Sequence, residues 1–491
     1  MGFVKTSSFL YNRPMNKKFY VTTPIYYVND VPHIGHICTT VAADVLARYH
    51  RLLGEEVFFL TGTDEHGAKI AEAAAKAGKN PQEFCDDIAP KFKDNWAKTN
   101  LSFDAFIRTT DPKHIQVVQE VINKVYEKGD IYKGTYEGWY CVGCEAFKTG
   151  DELVNEECVT HNRPAVWQKE ENYFFKLAKY APALIKAIED ETDPAHYRIE
   201  PISKRNEILS KLKQGVTDLS ISRANVPWGI AIPWDPTQTI YVWFDALINY
   251  YSATRIFGKE EFWGQAYHIV GKDIQWFHCV IWEAMLQSAG VLPPKEIFVH
   301  SFFMVDGQKM SKSLGNVISP QQLLEKFGVD GTRYLILANF PRNDDSDIGL
   351  KRFTEKYNSD LANNLGNLFS RFTKLSEQAE LNGPSSFPSF SEVISKPKRE
   401  LLKNSYENLD FSRVTEEINN SVNEINRDLQ EAKPWEKSVI EKKQALEKLL
   451  PKLVEVAVAI EPLLPDTATK VQEGLQGKIT AQPPIFPRVS L

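Results

Sequence analysis

A chain of 491 residues with 43% hydrophobic content can fill several cores, so three or four domains are expected. A formal charge of -6 gives no global nucleic-acid signal, and any RNA partner must be held by a local surface. No apolar run approaches the ~18 residues needed to span a bilayer, and six cysteines, three of them clustered, argue against a disulfide framework and for a reducing compartment with a metal site.

The first residues, MGFVKTSSFLYNRP, carry Lys5 and Arg13, no acidic residue and no long apolar core. Residues 1–16 are therefore expected to be an N-terminal tail rather than a secretory signal, with the start of an organellar presequence as the alternative. Residues 18–28, KFYVTTPIYYV, are β-branched and aromatic and predict a buried strand. PHIGH comes next, then a helical pattern with Val41, Val45 and Leu46 on one face, closing at Gly54. VFFLTGTDEHG (57–67) predicts a second strand ending in a polar loop, followed by a helix through AKIAEAAAKAG. This alternation predicts a parallel, doubly wound sheet, which binds ligands at the carboxyl ends of its strands. Both polar clusters, His33–His36 and Thr63–Gly67, fall at that edge.

From about Tyr132 to Pro233 turns, aromatics and cysteines dominate, as in an inserted unit. Cys141, Cys144, Cys158 and His161 form two ligand pairs, each separated by two residues, with thirteen residues between the pairs. That spacing suits one tetrahedral zinc with all four positions filled by protein, and so a structural ion. Cys38, Cys85 and Cys279 belong to no pair and read as small core residues. YVWFDALINYY (241–251) and AYHIVGKDIQWFHCVIWEAML (266–286) restore the alternation of strand and helix. In QKMSKSLGN (308–316), Lys309 and Lys312 supply point charges, while Gly315 and the serines keep the loop bendable. Such a loop suits closure over a polyphosphate. Beyond about Tyr357 the chain reads as helical almost to its end, broken by NGPSSFPSFSE (382–392).

PHIGH, between a strand and a helix, places free N–H groups and a dipole where an anion can bind. Gly35 allows close backbone approach, and His33 and His36 can donate hydrogen bonds to phosphate oxygens whose charge grows in a transition state. On residues alone, PHIGH is equally a capped helix with incidental histidines, and the lysine loop a solvated surface turn. The two together, in this order, favour the chemical reading.

PHIGH and KMSKS resemble the two signatures of class I aminoacyl-tRNA synthetases. TPIYYVNDVPHIGH, LTGTDEHG, YVWFDAL, GKDIQWFH and DGQKMSKSLGN narrow the resemblance to the methionyl-tRNA synthetases, over about residues 17–440. The resemblance implies an α/β fold: a Rossmann-like parallel sheet, an inserted zinc-bearing connective domain and a C-terminal all-α anticodon-binding domain. The expected bounds are 17–130 and 234–295 for the two halves of the catalytic domain and 131–233 for the insertion. The lysine loop and stem-contact region then takes 296–356, and the helical domain 357–491. Two other readings are a different class I synthetase and a non-catalytic zinc-bearing RNA-binding module. The isoleucyl, valyl and leucyl enzymes carry editing insertions far larger than the span here, and a module that only holds RNA needs neither signature.

The family activates methionine with ATP and Mg2+, releases pyrophosphate, and esterifies the terminal adenosine of its tRNA. Carried over by motif, the methionine pocket falls on Ile25, Tyr27, Asp64, Trp243, Ala246, Leu247, Tyr250, Phe277, His278 and Trp282. Leu247 departs from relatives that carry proline there. The ATP site falls on His33, Gly35, His36, Asp273, Lys309, Ser311 and Lys312, with His33, His36, Lys309 and Lys312 as the catalytic groups. A thioether favours aromatic edges, Asp64 suits the substrate ammonium, and Asp273 suits the ribose hydroxyls. Relatives with a second zinc carry four further cysteines; only one set is present here. GNLFSR (366–371) and KPW (433–435) resemble the anticodon reader, giving Asn367, Arg371 and Trp435. The expected partners are initiator and elongator methionine tRNA, ATP and L-methionine, without a membrane. Because the tail ends without the dimer-forming module of some relatives, a monomer is expected, in a bacterial-type cytoplasm or an organelle.

Overall fold

A computed structural model describes residues 17–29, 32–142, 146–148, 152–160, 163–224, 226–305, 307–309 and 318–490. The expected tail 1–16 lies outside the described residues, as do Cys144, His161, Ser311, Lys312 and the side chain of Lys309.

Six parallel strands form the central sheet: β1 (Lys18–Tyr27), β2 (Glu56–Asp64), β3 (Ala105–Arg108), β4 (Arg198–Glu200), β5 (Ala266–Gly271) and β6 (Glu296–His300). Their order across the sheet is β4-β6-β5-β1-β2-β3. With helices on both faces, the inner strands are apolar along most of their length, as parallel strands must be; every residue of β5 and β6 is buried. β1 carries Pro24, which cannot donate to a ladder and sits where the pairing with β2 slips, between Thr22 and Ile25. Past that irregularity β1 stays paired with the end of β2, Tyr27 against Asp64.

The helix Ile34–Leu52 joins β1 to β2 and is buried on nearly all sides, from Ile37 and Val41 on one side to Asp44 and Ala47 on others. A helix with that burial is covered twice. Here the sheet lies on one side, and the helix Pro320–Ala338 and the helical tail on the other. Arg333 binds the layers together with no exposed surface. Its Nη2 donates to Asp44 (2.7 Å) and to the Pro462 carbonyl (3.2 Å), and its Nε donates to the Leu463 carbonyl (2.9 Å).

The span 131–233 opens with a long antiparallel pair, Ile131–Cys141 against Val166–Phe175, running in register from Ile131↔Phe175 to Tyr140↔Val166. It also returns to the central sheet, because β4 is its own segment and pairs in parallel with β6. The tail is helical over Asn367–Gln378, Lys396–Glu407, Phe411–Ala432, Val439–Ala459 and Pro465–Leu475. Its core of Leu368, Phe372, Val422, Leu429 and Leu453 is continuous with that around Ile34–Leu52. No helix among the described residues is long and apolar enough to cross a membrane.

Candidate active site

His33 caps the helix Ile34–Leu52. Its Nδ1 accepts from the Gly35 N–H (3.1 Å), and the Nδ1 of His36 accepts from the His33 N–H (3.3 Å). Each ring therefore carries its proton on Nε2, the nitrogen left to donate. The rings stack 3.8 Å apart. Desolvation lowers both pKa values: Asp273 pulls His33 the other way, whereas the neighbouring His33 adds to the lowering of His36. A Cβ on residue 35 would lie 2.9 Å from the His33 ring, so Gly35 leaves room for the cap itself.

These residues open on a cavity of about 610 Å³ at the carboxyl edge of the sheet, which is where a doubly wound sheet binds its ligand. Ile25 and Tyr27 reach it from β1 and Asp64 from β2; Trp243, Ala246, Leu247, Tyr250 and His278 form a largely aromatic wall, and Asp273 also lines it. Phe277 and Trp282 pack one layer behind: Phe277 stacks on Trp243 with centroids 4.1 Å apart, and Trp282 is buried 6.3 Å from the Tyr250 ring. Phe277–Trp282 is wound as a π-helix, a form that often marks functional sites.

Within it, His278 Nδ1 faces the Ile274 carbonyl at 2.9 Å, an acceptor only, so that nitrogen bears the proton. Burial pushes the His278 pKa down to about 4, so at neutral pH its Nε2 accepts from the Tyr250 hydroxyl (2.7 Å). His300 repeats the pattern. Its Nδ1 donates to the Ser301 carbonyl (2.7 Å), burial lowers its pKa, and Nε2 accepts from Thr39 (2.8 Å) on the PHIGH helix.

Asp245, on the turn that carries Trp243 and Ala246, is buried and ionised. Burial works against its charge, but His66 and His114 outweigh it and hold its pKa low. The carboxylate accepts from His66 Nδ1 (2.7 Å) and His114 Nε2 (2.9 Å), fastening the aromatic wall to the loop after β2. Glu65 in that loop has no exposed surface and is held bidentate by Arg108 at 2.7 and 2.8 Å.

Sequence reasoning missed Thr39, His300 and the His66–Asp245–His114 bridge, although His66 and Asp245 stand inside motifs it singled out. It also took Cys38 for a core residue only; Cys38 is buried, yet it lines the cavity. Away from this site, the Arg371 guanidinium lies 5.5 Å from the Trp435 ring centre, and Asn367 starts the same helix as Arg371. In the insertion, Cys141 and Cys158 are both buried.

The family described as "tRNA synthetases class I (M)" matches residues 19–158 and 148–373. A methionine–tRNA ligase of Thermotoga maritima is 42% identical over 475 residues, 92% of this chain and 74% of that one. Its counterpart in Thermosynechococcus vestitus is 40% identical over 95% of this chain and 90% of that one. Among solved structures, Mycobacterium tuberculosis methionyl-tRNA synthetase in complex with methionyl-adenylate superposes with a TM-score of 0.84 at 33% identity, over 96% of this chain and 99% of that one. The apo form of the same enzyme gives 0.80 at 30% identity, over 97% and 99%.

Proposed function

We infer the roles of individual residues from one premise: the chain belongs to the class I methionyl-tRNA synthetases. It is a methionine–tRNA ligase. The methionine carboxylate attacks the α-phosphorus of ATP, forming the acyl–phosphate bond as the bond to pyrophosphate breaks. The terminal adenosine hydroxyl of the tRNA then attacks the adenylate carbonyl, and AMP leaves.

The observation that carries the assignment is the meeting of PHIGH, Asp64 and the aromatic wall on one cavity. The Nε2–H groups of His33 and His36 donate to phosphate oxygens as charge builds on them. Asp64 pairs with the substrate ammonium, and Asp273 accepts from the ribose hydroxyls. Trp243, Tyr250 and His278 surround the thioether with Ile25, Tyr27, Ala246 and Leu247, while Phe277 and Trp282 hold that wall from behind. Lys309, Ser311 and Lys312 close on the triphosphate, which arrives with Mg2+.

One structural zinc would be held by Cys141, Cys144, Cys158 and His161. The insertion's packing supports this reading. Val154, Val159, Val166 and Trp167 are 51–60% exposed there, while Cys141 and Cys158 are buried, so little apolar packing holds the tip among the described residues. A filled tetrahedral set supplies folding energy and no open position for chemistry.

Asn367, Arg371 and Trp435 read the anticodon, and we propose the domain bounds given above, with β4 of the insertion pairing into the catalytic sheet. Charging of initiator and elongator tRNA, a monomeric state and a cytoplasmic location complete the proposal. Two variants test the division of labour. Asp64→Ala should abolish both ATP–pyrophosphate exchange and tRNA charging, whereas Trp435→Ala should lose far more charging than exchange. Equal losses in the Trp435 variant would overturn its assignment to the anticodon.

A further inference from the structure

The first turn of the helix Val439–Ala459 carries two large apolar side chains in water: Val439 is 57% and Ile440 71% exposed. Ile440 is more exposed than any other large apolar side chain among the described residues. Helix packing does not need it, because its i+4 and i+7 neighbours are Gln444 and Glu447, off the buried stripe of Leu446, Leu449 and Leu453. An exposed apolar cluster of this kind marks an interaction surface.

This turn is held in place from two sides. Glu441 accepts from the Ser438 N–H (3.2 Å) and hydroxyl (2.6 Å), which closes a capping box. Lys442 Nζ donates to Gln378 Oε1 (2.9 Å) and so ties the turn to the helix that carries Asn367 and Arg371. The Pro434–Glu436 turn packs against the helix Val439–Ala459 and presents Trp435, itself 40% exposed and faced by Arg371. Trp435, Val439 and Ile440 are therefore exposed apolar side chains on two adjoining elements, an apolar shelf. Around it, residues 433–443 hold four lysines against two glutamates, and Lys437 and Lys443 make no ion pair among the described residues.

We propose that Val439 and Ile440 form a second platform beside Trp435, which takes another unpaired nucleotide of the tRNA anticodon loop. The inference rests on the reading of Trp435 as an anticodon contact. An unpaired base has an apolar face that any flat or branched apolar surface can cover, and its phosphate seeks nearby cations. A protein partner would find apolar surface here as well, but the excess of lysine beside an indole and a guanidinium matches single-stranded RNA.

The test is charging of a methionine tRNA transcript by Ile440→Ser and Trp435→Ala enzymes. It is repeated on transcripts in which each anticodon-loop nucleotide in turn is made abasic. Ile440→Ser should raise the KM for the intact transcript by about 5-fold. That penalty should vanish for one abasic transcript, at a nucleotide different from the one that cancels the Trp435→Ala penalty. An unchanged KM for Ile440→Ser beside a raised KM for Trp435→Ala overturns this inference and leaves the anticodon reading standing. Unchanged KM values for both variants overturn the two together. A penalty equal on every abasic transcript, or an altered assembly state at unchanged KM, also overturns it and marks the shelf as general electrostatics or a protein contact.

Discussion

His278 shows how burial and two hydrogen bonds decide the state of one residue. The Ile274 carbonyl places the proton on Nδ1, and burial drops the pKa to about 4 from an ordinary value near 6.5. The unfolded chain thus takes up this proton first as the pH falls. Between about pH 6.5 and about 4 the unfolded state binds more protons than the native one, so stability falls with falling pH, by on the order of 3 kcal/mol for this group. Glu296 acts with the opposite sign, because burial lifts its carboxyl to about 7 and stability is lost as pH rises toward that value. The total slope therefore mixes both, and the informative quantity is a difference. His278→Gln should flatten the fall in melting temperature between pH 6.5 and 4.5 relative to the parent protein. Parallel curves would show that His278 is not held neutral by the fold.

At the scale of elements, the zinc proposed for the insertion is tested by removing it, while the helix Ile34–Leu52 depends on packing. Purified protein should contain about one zinc per chain, and chelation should lower the melting temperature. Cys158→Ser should do the same without chelator; a chain free of zinc with unchanged melting and activity would refute the site. β1, β2 and the PHIGH helix were legible because their apolar residues match their burial, and residues that line the cavity could be picked out because they stand in contiguous runs. β4 was not: three residues, Arg-Ile-Glu, between two helices carry no period, and only the free edge of β6 selects them as a strand. His300 was hidden for a related reason. It sits at the end of a buried strand, and its value comes from Thr39, 261 residues away.

Across the whole molecule, Arg333 joins the helix of PHIGH, the helix after the lysine loop and the turn between the helices Val439–Ala459 and Pro465–Leu475. An arginine amid a helical pattern reads as surface, and nothing local in GVDGTRYLIL marks it as fully buried. Burial pushes the Asp44 pKa up, but Arg333, Arg48 and Ser102 overcome this and keep it low. Arg333→Met leaves Asp44 buried with Arg48 as its remaining cation, and breaking such a pair costs about 3–5 kcal/mol. The variant should melt far below the parent protein; a melting point within a degree or two would show that the contact holds nothing together.

The central claim is that the cavity between PHIGH, Asp64 and the Trp243–Tyr250 wall joins methionine to AMP. ATP–pyrophosphate exchange by the purified protein, run with each of the twenty amino acids in turn and without tRNA, tests it directly. Exchange should require methionine and Mg2+ and should disappear in the Asp64→Ala variant. Exchange driven equally by another amino acid, or persisting undiminished without Asp64, would contradict the account.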